Sequence, residues 1–140
     1  MTEAPADFNA QIIAEFRANQ GRVGGRFAGA TLLLLHTTGA KSGAAYTNPV
    51  AYLADGGRYV VFASKAGAPT NPGWYHNLKA HPEVSIEVEN RTIEVTASEL
   101  TGAERDRLYD RQTELSPQFA QYQAKTERVI PVIALTPRSG

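Results

Sequence analysis

With 140 residues, 42% of them hydrophobic and 20% charged, the chain is long enough to form one domain with its own core and needs no covalent staples. Fourteen basic residues stand against fourteen acidic ones, which leaves no global field for nucleic acid, so any anion has to be bound locally. Cysteine is absent, which excludes disulfides, thiolate metal sites and cysteine nucleophiles, and a reducing, cytoplasmic location is the expectation.

From Asp7, an N-cap type, Phe8, Ile12, Ile13 and Phe16 recur at helical spacing up to Gly21, so a short amphipathic helix is expected there. A glycine-rich linker follows, and residues 1–30 are set apart from a domain over 31–140, the two forming one domain overall. Leu32–Leu35 form a short apolar run with the character of a buried strand that ends near Thr38. The stretch 36–50, HTTGAKSGAAYTNPV, is too polar to be core strand throughout, which raises the question of what such a segment holds. A second strand is expected over Thr47–Ala54, a hairpin turn at Asp55–Gly57, and a third strand over Arg58–Ala63. Pro72 at the first helical position opens a short helix carrying Trp74, Tyr75 and Leu78, closed by His81-Pro82. Val84, Ile86 and Val88, then Ile93, Val95 and Ala97 after a turn at Asn90-Arg91, alternate with polar residues as a hairpin of strands four and five. Thr101–Glu104 has the form of a capping box, Ser116 caps a further helix with Phe119 and Tyr122, and VIPVIAL is the sixth strand, with Pro131 at an edge or at its start. Six mostly antiparallel strands without βαβ alternation predict an α+β fold, mainly antiparallel β: a small closed or split β-barrel with short helices packed outside.

The segment Gly39–Gly43 departs from the Walker pattern because Ala40 precedes Lys41; its glycines and hydroxyl residues fit either a solvated turn or an anion nest with Lys41 as a point charge. No G-x-G-x-x-G follows a strand, and His36, His76 and His81 have no metal-ligand spacing, so no metal is expected. Ser116 before Pro117 lacks a nucleophile elbow and is a cap rather than a hydrolase serine. In NPGWYHNLKAHP, Trp74 and Leu78 share one helical face and Tyr75 and Lys79 the next; a core-packing helix and an aromatic lid over a flat heterocycle both fit.

Taken together, T-T-G-A-K-S-G, N-P, A-S-K-A-G, N-P-G-W-Y-H-N-L and Y-Q-A-K-T-E-R-V-I-P resemble the deazaflavin-dependent nitroreductase family, split-barrel oxidoreductases that use coenzyme F-420, an 8-hydroxy-5-deazaflavin, over roughly residues 30–137. The resemblance implies that Lys41 and Lys65 meet the anionic tail, and that Gly43 and Ala63 allow close backbone approach. It further implies that Asn48, Pro49 and Ser64 line the ring or its chain, and that Trp74, Tyr75 and Asn77 close over the coenzyme. It also implies transfer of a hydride to an electron-poor acceptor such as a quinone, an enone or unsaturated lactone, or a nitro compound, with Tyr122 and Ser64, and Tyr75 in reserve, orienting or protonating the acceptor. An FMN-dependent reductase of the same fold and a non-catalytic carrier of the deazaflavin are the alternatives. The implied partners are a small-molecule acceptor and no nucleic acid. Monomer and homodimer both stay open, as does transient contact with the inner membrane surface, without a stable anchor. Two departures stand out. Tyr46 occupies a position where close relatives carry arginine, with Arg58 or Arg128 as substitutes for the charge; and Phe119 and Ser116 stand where relatives with nitroimidazole activity have tyrosines, so that activity is not expected.

Overall fold

The computed structural model describes residues 13, 14, 16–18, 32–64, 67, 70–89 and 91–138. Six strands are present: β1 (Leu32–Thr38), β2 (Ala45–Asp55), β3 (Arg58–Phe62), β4 (Glu83–Val88), β5 (Arg91–Leu100) and β6 (Val132–Pro137). They close into a barrel in the order β1-β2-β3-β6-β5-β4, each neighbouring pair antiparallel. Among the described residues the helices α1 (Gly73–Ala80), α2 (Gly102–Leu115) and α3 (Gln118–Lys125) accompany them, and residues 13, 14 and 16–18 are helical as well.

Strand alternation sorts the side chains into two layers, because successive residues point to opposite faces. Leu33 and Leu35 of β1, Val61 of β3, Val84, Ile86 and Val88 of β4, Val95 of β5 and Ile133 and Leu135 of β6 form the barrel interior. Leu78 of α1 is buried in that same cluster, and Trp74 and Tyr75 pack against it, so α1 lies on the barrel core. On the outside, Val60, Phe62 and Val132 meet Leu108 and Tyr109 of α2 and Phe119 of α3. The fully buried Phe16 covers Leu32 and Leu34 on a third face. Burying such a ring is worth about 2–3 kcal/mol, which is what seats helical residues 13, 14 and 16–18 on the barrel. The remainder of the expected N-terminal helix and the glycine-rich linker lie outside the described residues.

Local turn chemistry explains the joins. Gly56 and Gly57 have φ of 58° and 88°, the left-handed conformations that a two-residue hairpin loop requires. Between β4 and β5 the left-handed residue is Glu89, at φ 56°, while Asn90 lies outside the described residues.

Several boundaries differ from expectation. Of HTTGAKSGAAYTNPV only Gly39–Ala44 is loop: β1 continues through Thr38 and β2 starts at Ala45, because backbone pairing such as Thr37 with Tyr46 carries the polar residues into the ladder. Pro72 and Pro117 are the residues before their helices rather than their first members. The capping box does not form: Thr101 makes no side-chain cap bond, and the Glu104 carboxylate accepts from Arg58 at 2.6 Å instead. Ser116 ends α2, its N–H donating to the Gln112 carbonyl, and no side-chain cap opens α3. The sixth strand begins at Val132 rather than Val129, so Pro131 lies just before β6 rather than in it, and β6 is paired on both sides, so Pro131 is not on an edge strand. Among the described residues no helix is long and apolar enough to cross a membrane.

Candidate functional site

β2 pairs with β3 only from Tyr52 to Asp55, whereas it pairs with β1 along Ala45–Ala51. The barrel therefore parts beside the first half of β2, and Pro49, which has no N–H to give to a ladder, sits on that one-sided stretch. Asn48 stands opposite Leu35 and so lies on the interior side, while Pro49 stands opposite Leu34 on the other face. Between them, only Asn48 shares a face with the side chains of α1.

The loop Gly39–Ala44 holds Lys41 and Gly43. Most of its N–H groups are used internally: Gly39 donates to the Ala44 carbonyl at 2.7 Å, Gly43 to that of Gly39 at 3.0 Å, and Ala44 to Ser42 Oγ at 3.1 Å. Ala40 donates to Asn77 Oδ1 at 3.0 Å. The N–H groups of Lys41 and Ser42 have no partner among the described residues, so the anion nest reduces to these two donors plus the exposed lysine side chain. Gly43 has φ of 72°, and no atom lies within 4 Å of the place a Cβ would take, so a ligand can approach its backbone. Gly39 is needed for a different reason: a Cβ there would stand 3.0 Å from the Tyr46 ring and 2.5 Å from Ser42 Oγ. Tyr46 itself is 48% exposed beside this loop.

A second rim segment follows β3. Ala63 is buried and Ser64 half-buried, and the Arg128 guanidinium donates to the carbonyls of Ala63 (3.1 Å) and Ser64 (2.8 Å) and to Asn71 Oδ1 (2.7 Å). Burial lowers the Arg128 pKa from its ordinary value. Gly67, with φ of 82°, lies so close to α3 that a Cβ would come 2.7 Å from the Tyr122 carbonyl oxygen. The Tyr122 backbone is thereby brought to the segment that holds Ala63 and Ser64, while its side chain packs against the outer cluster of Phe62, Leu108, Tyr109 and Phe119; Lys65 lies outside the described residues.

The hydroxyls differ in what they are bound to. Tyr75 donates to Glu99 Oε1 at 2.8 Å, an oxygen that Lys79 also reaches at 3.0 Å, and burial followed by the Glu99 hydrogen bond raises the tyrosine pKa. The Tyr122 and Ser64 hydroxyls have no partner among the described residues, and the Tyr122 ring is held edge-on against Phe119 at 5.1 Å. Trp74 and Tyr75 rest on the core, which supports the core-packing reading of α1.

Neither substitute for the missing arginine charge is at the loop. Arg58 is held at the β2–β3 hairpin by Asp55 and Glu104, and Arg128 clamps the second rim. Sequence reasoning did not find a network on the outer face of β1 and β4: Arg17 pairs with Glu87 at 2.6 Å, Glu87 with His36 Nε2 at 2.6 Å, and His36 Nδ1 with Thr47 Oγ1 at 3.0 Å. The Arg17 hydrogen bond is the main cause that lowers the Glu87 pKa, opposed by burial. Thr47 and His36 also line a cleft of about 300 Å³ with Thr38, Tyr46, Ser85 and Glu94. No local sequence signal announces these pairings, since their partners are 11, 51 and 70 residues apart.

A closed antiparallel barrel, parted beside β2 and rimmed by a glycine-lysine loop and an aromatic helix, defines the class as a split-barrel reductase. Residues 10–137 match the family model described as F420H(2)-dependent quinone reductase, and the chain belongs to that family. It is 44% identical over 129 residues, 89% of this chain and 87% of the relative, to the F420H(2)-dependent quinone reductase of Mycobacterium tuberculosis strain H37Rv. Among solved structures it is similar to an F420-H2 dependent reductase (TM-score 0.68, 41% identity, covering 74% of this chain and 92% of that one). It is also similar to a domain-swapped dimer (TM-score 0.70, 36% identity, covering 94% and 99%). The chain is accordingly an F420-dependent oxidoreductase.

Proposed function

We propose that the protein transfers a hydride from reduced coenzyme F-420 to a quinone, and that the parted side of the barrel between the two rim segments is where donor and acceptor meet. The coenzyme, when bound, supplies the two electrons as hydride. The residues present suit such a ligand: a flat ring needs an open groove, and its anionic tail needs donors at the rim, which Lys41 and the N–H groups of Lys41 and Ser42 provide beside the open backbone of Gly43. An exposed lysine–anion pair contributes about 1 kcal/mol or less, so the backbone donors carry a comparable share.

The observation that carries the assignment of roles is the state of the hydroxyls. Tyr75 is engaged by Glu99, whereas the Tyr122 and Ser64 hydroxyls have no partner among the described residues, and the Tyr122 backbone and Ser64 meet at the segment that Arg128 and Gly67 build. Tyr122 and Ser64 therefore orient the acceptor oxygen by donating hydrogen bonds as negative charge develops there, which needs no special pKa. Asn48, on the interior side, faces the ring; Ala63 lets it approach. Lys65, which lies outside the described residues, is read as a further cation for the anionic tail. Holding donor and acceptor carbon about 3–3.5 Å apart is the remaining task, and it falls to the rigid barrel walls.

The domain-swapped neighbour favours a homodimer as the assembly, and the packing of Phe16 on Leu32 and Leu34 favours reading the chain as one domain. The test is a titration with oxidised F-420 against FMN, followed by mixing the protein with reduced coenzyme and menadione and recording the return of the oxidised coenzyme's absorbance. Binding of F-420 but not FMN, with turnover that falls in Tyr122→Phe while affinity holds, is expected. Binding without oxidation by any quinone would make the protein a carrier.

A further inference from the structure

We propose that Asn77 is a positioning residue that sets the shape of the coenzyme loop through α1 and does not itself contact the coenzyme. Its carboxamide is occupied at both ends: Nδ2 donates to Thr37 Oγ1 at 3.1 Å and Oδ1 accepts the Ala40 N–H at 3.0 Å. One planar group thus ties the last turn of α1 to the end of β1 and to the first residues of the loop Gly39–Ala44. Thr37 is 4% exposed, and Asn77 is the hydrogen-bond partner of its hydroxyl among the described residues, so the Thr37 end of the tie is shielded from competing water, while the Ala40 end lies at the surface.

The geometry has a consequence for the ligand. Ala40 is immediately before Lys41, so fixing its N–H on α1 restricts the backbone rotation that sets where the following N–H groups lie. The N–H groups of Lys41 and Ser42 have no partner among the described residues. Without the tie the segment can rotate, and its donors no longer converge before an anion arrives; the ordering then has to be done by the ligand at the expense of affinity. The other end of the helix is fixed in the same manner, since Asn71 just before α1 accepts from Arg128, which also holds the Ala63 and Ser64 carbonyls. α1 is therefore a strut with both rim segments attached to it. A rigid strut of this kind keeps the separation of the rims constant, which a lid does not.

This inference rests on the coenzyme reading above, and its test separates the two. Asn77→Ala, Thr37→Val and the double variant are compared by titration with oxidised F-420, by KM and kcat, and by amide hydrogen exchange at Ala40 without coenzyme. Each single variant is expected to bind about tenfold more weakly, with the loss in KM for the coenzyme rather than in kcat, and the double variant to be no weaker than either single one. Faster exchange at Ala40 is expected in all three. Asn77→Asp keeps both contacts, since a carboxylate accepts from the Ala40 N–H and from the Thr37 hydroxyl, but it adds a negative charge. Its loss should be recovered at high salt, whereas that of Asn77→Ala should not. If Asn77→Ala weakens binding while Thr37→Val does not, Asn77 touches the coenzyme directly and the strut is overturned. If exchange at Ala40 is unchanged in Asn77→Ala, the strut is likewise overturned. Should no variant, nor the wild type, bind F-420, the coenzyme reading fails while faster exchange still supports the tie itself.

Discussion

Gly67→Ala perturbs the contact that joins the second rim to α3. Two costs follow from the geometry. At φ of 82° an alanine pays about 1 kcal/mol relative to glycine for the left-handed backbone. Its methyl group would also stand 2.7 Å from the Tyr122 carbonyl oxygen and 3.0 Å from the Tyr122 Cα, both backbone atoms of a helix that cannot rotate aside, which adds about 1–3 kcal/mol of overpacking. Gly56→Ala is the control, because Gly56 has φ of 58° and nothing within 4 Å of its would-be Cβ, so it carries the first cost alone. Thermal unfolding should place Gly67→Ala about 2–4 kcal/mol below wild type, a Tm lower by roughly 10 °C, and Gly56→Ala only about 1 kcal/mol below. Because Tyr122 is displaced with the loop, kcat should fall in Gly67→Ala and not in Gly56→Ala. Equal melting temperatures for the two variants would show that the loop is not pressed on α3, and would remove the argument that Ser64 and Tyr122 are held together.

Arg128→Lys should lower stability by about 1–3 kcal/mol, because a single ammonium cannot reach the Ala63 and Ser64 carbonyls and Asn71 together; denaturant melts check this. Glu87→Gln tests the outer network. The folded pKa of Glu87 is lowered, so its stabilisation is fully present above the unfolded value near 4.5 and is lost as pH falls through the folded one. The wild type should exceed the variant by about 1 kcal/mol at neutral pH, with Arg17 half exposed, and the gap should close under acid. A gap that persists at the lowest pH would mean the carboxylate is not the source. Tyr46→Arg adds the absent cation beside the loop and should tighten F-420 binding about threefold at low salt and less at high salt, measured by fluorescence titration.

Strand alternation, the Asp55–Gly57 hairpin, the Trp74–Leu78 face and the aromatic content of α3 were all legible in the sequence, and the motif set carried the family and its coenzyme. These features are set by neighbours within a few residues, through φ preferences and the periods of 2 and 3.6, so a linear string contains them. Which charges and amides meet is another matter. Thr101 and Glu104 have the spacing of a capping box, yet Arg58, 46 residues away, takes the carboxylate once β3 and α2 are packed. Arg128 looked available to a ligand until the barrel brought the Ala63 and Ser64 carbonyls, 65 and 64 residues away in the chain, against it. Asn77 has the residue type of a coenzyme contact, and only closure of the barrel set Thr37 and Ala40 within 3.1 Å of its two polar atoms. The sequence by itself determined the strands, their faces and the chemistry on offer; only the tertiary structure decided which polar groups remain open to a ligand, because that depends on non-local closure of the sheet.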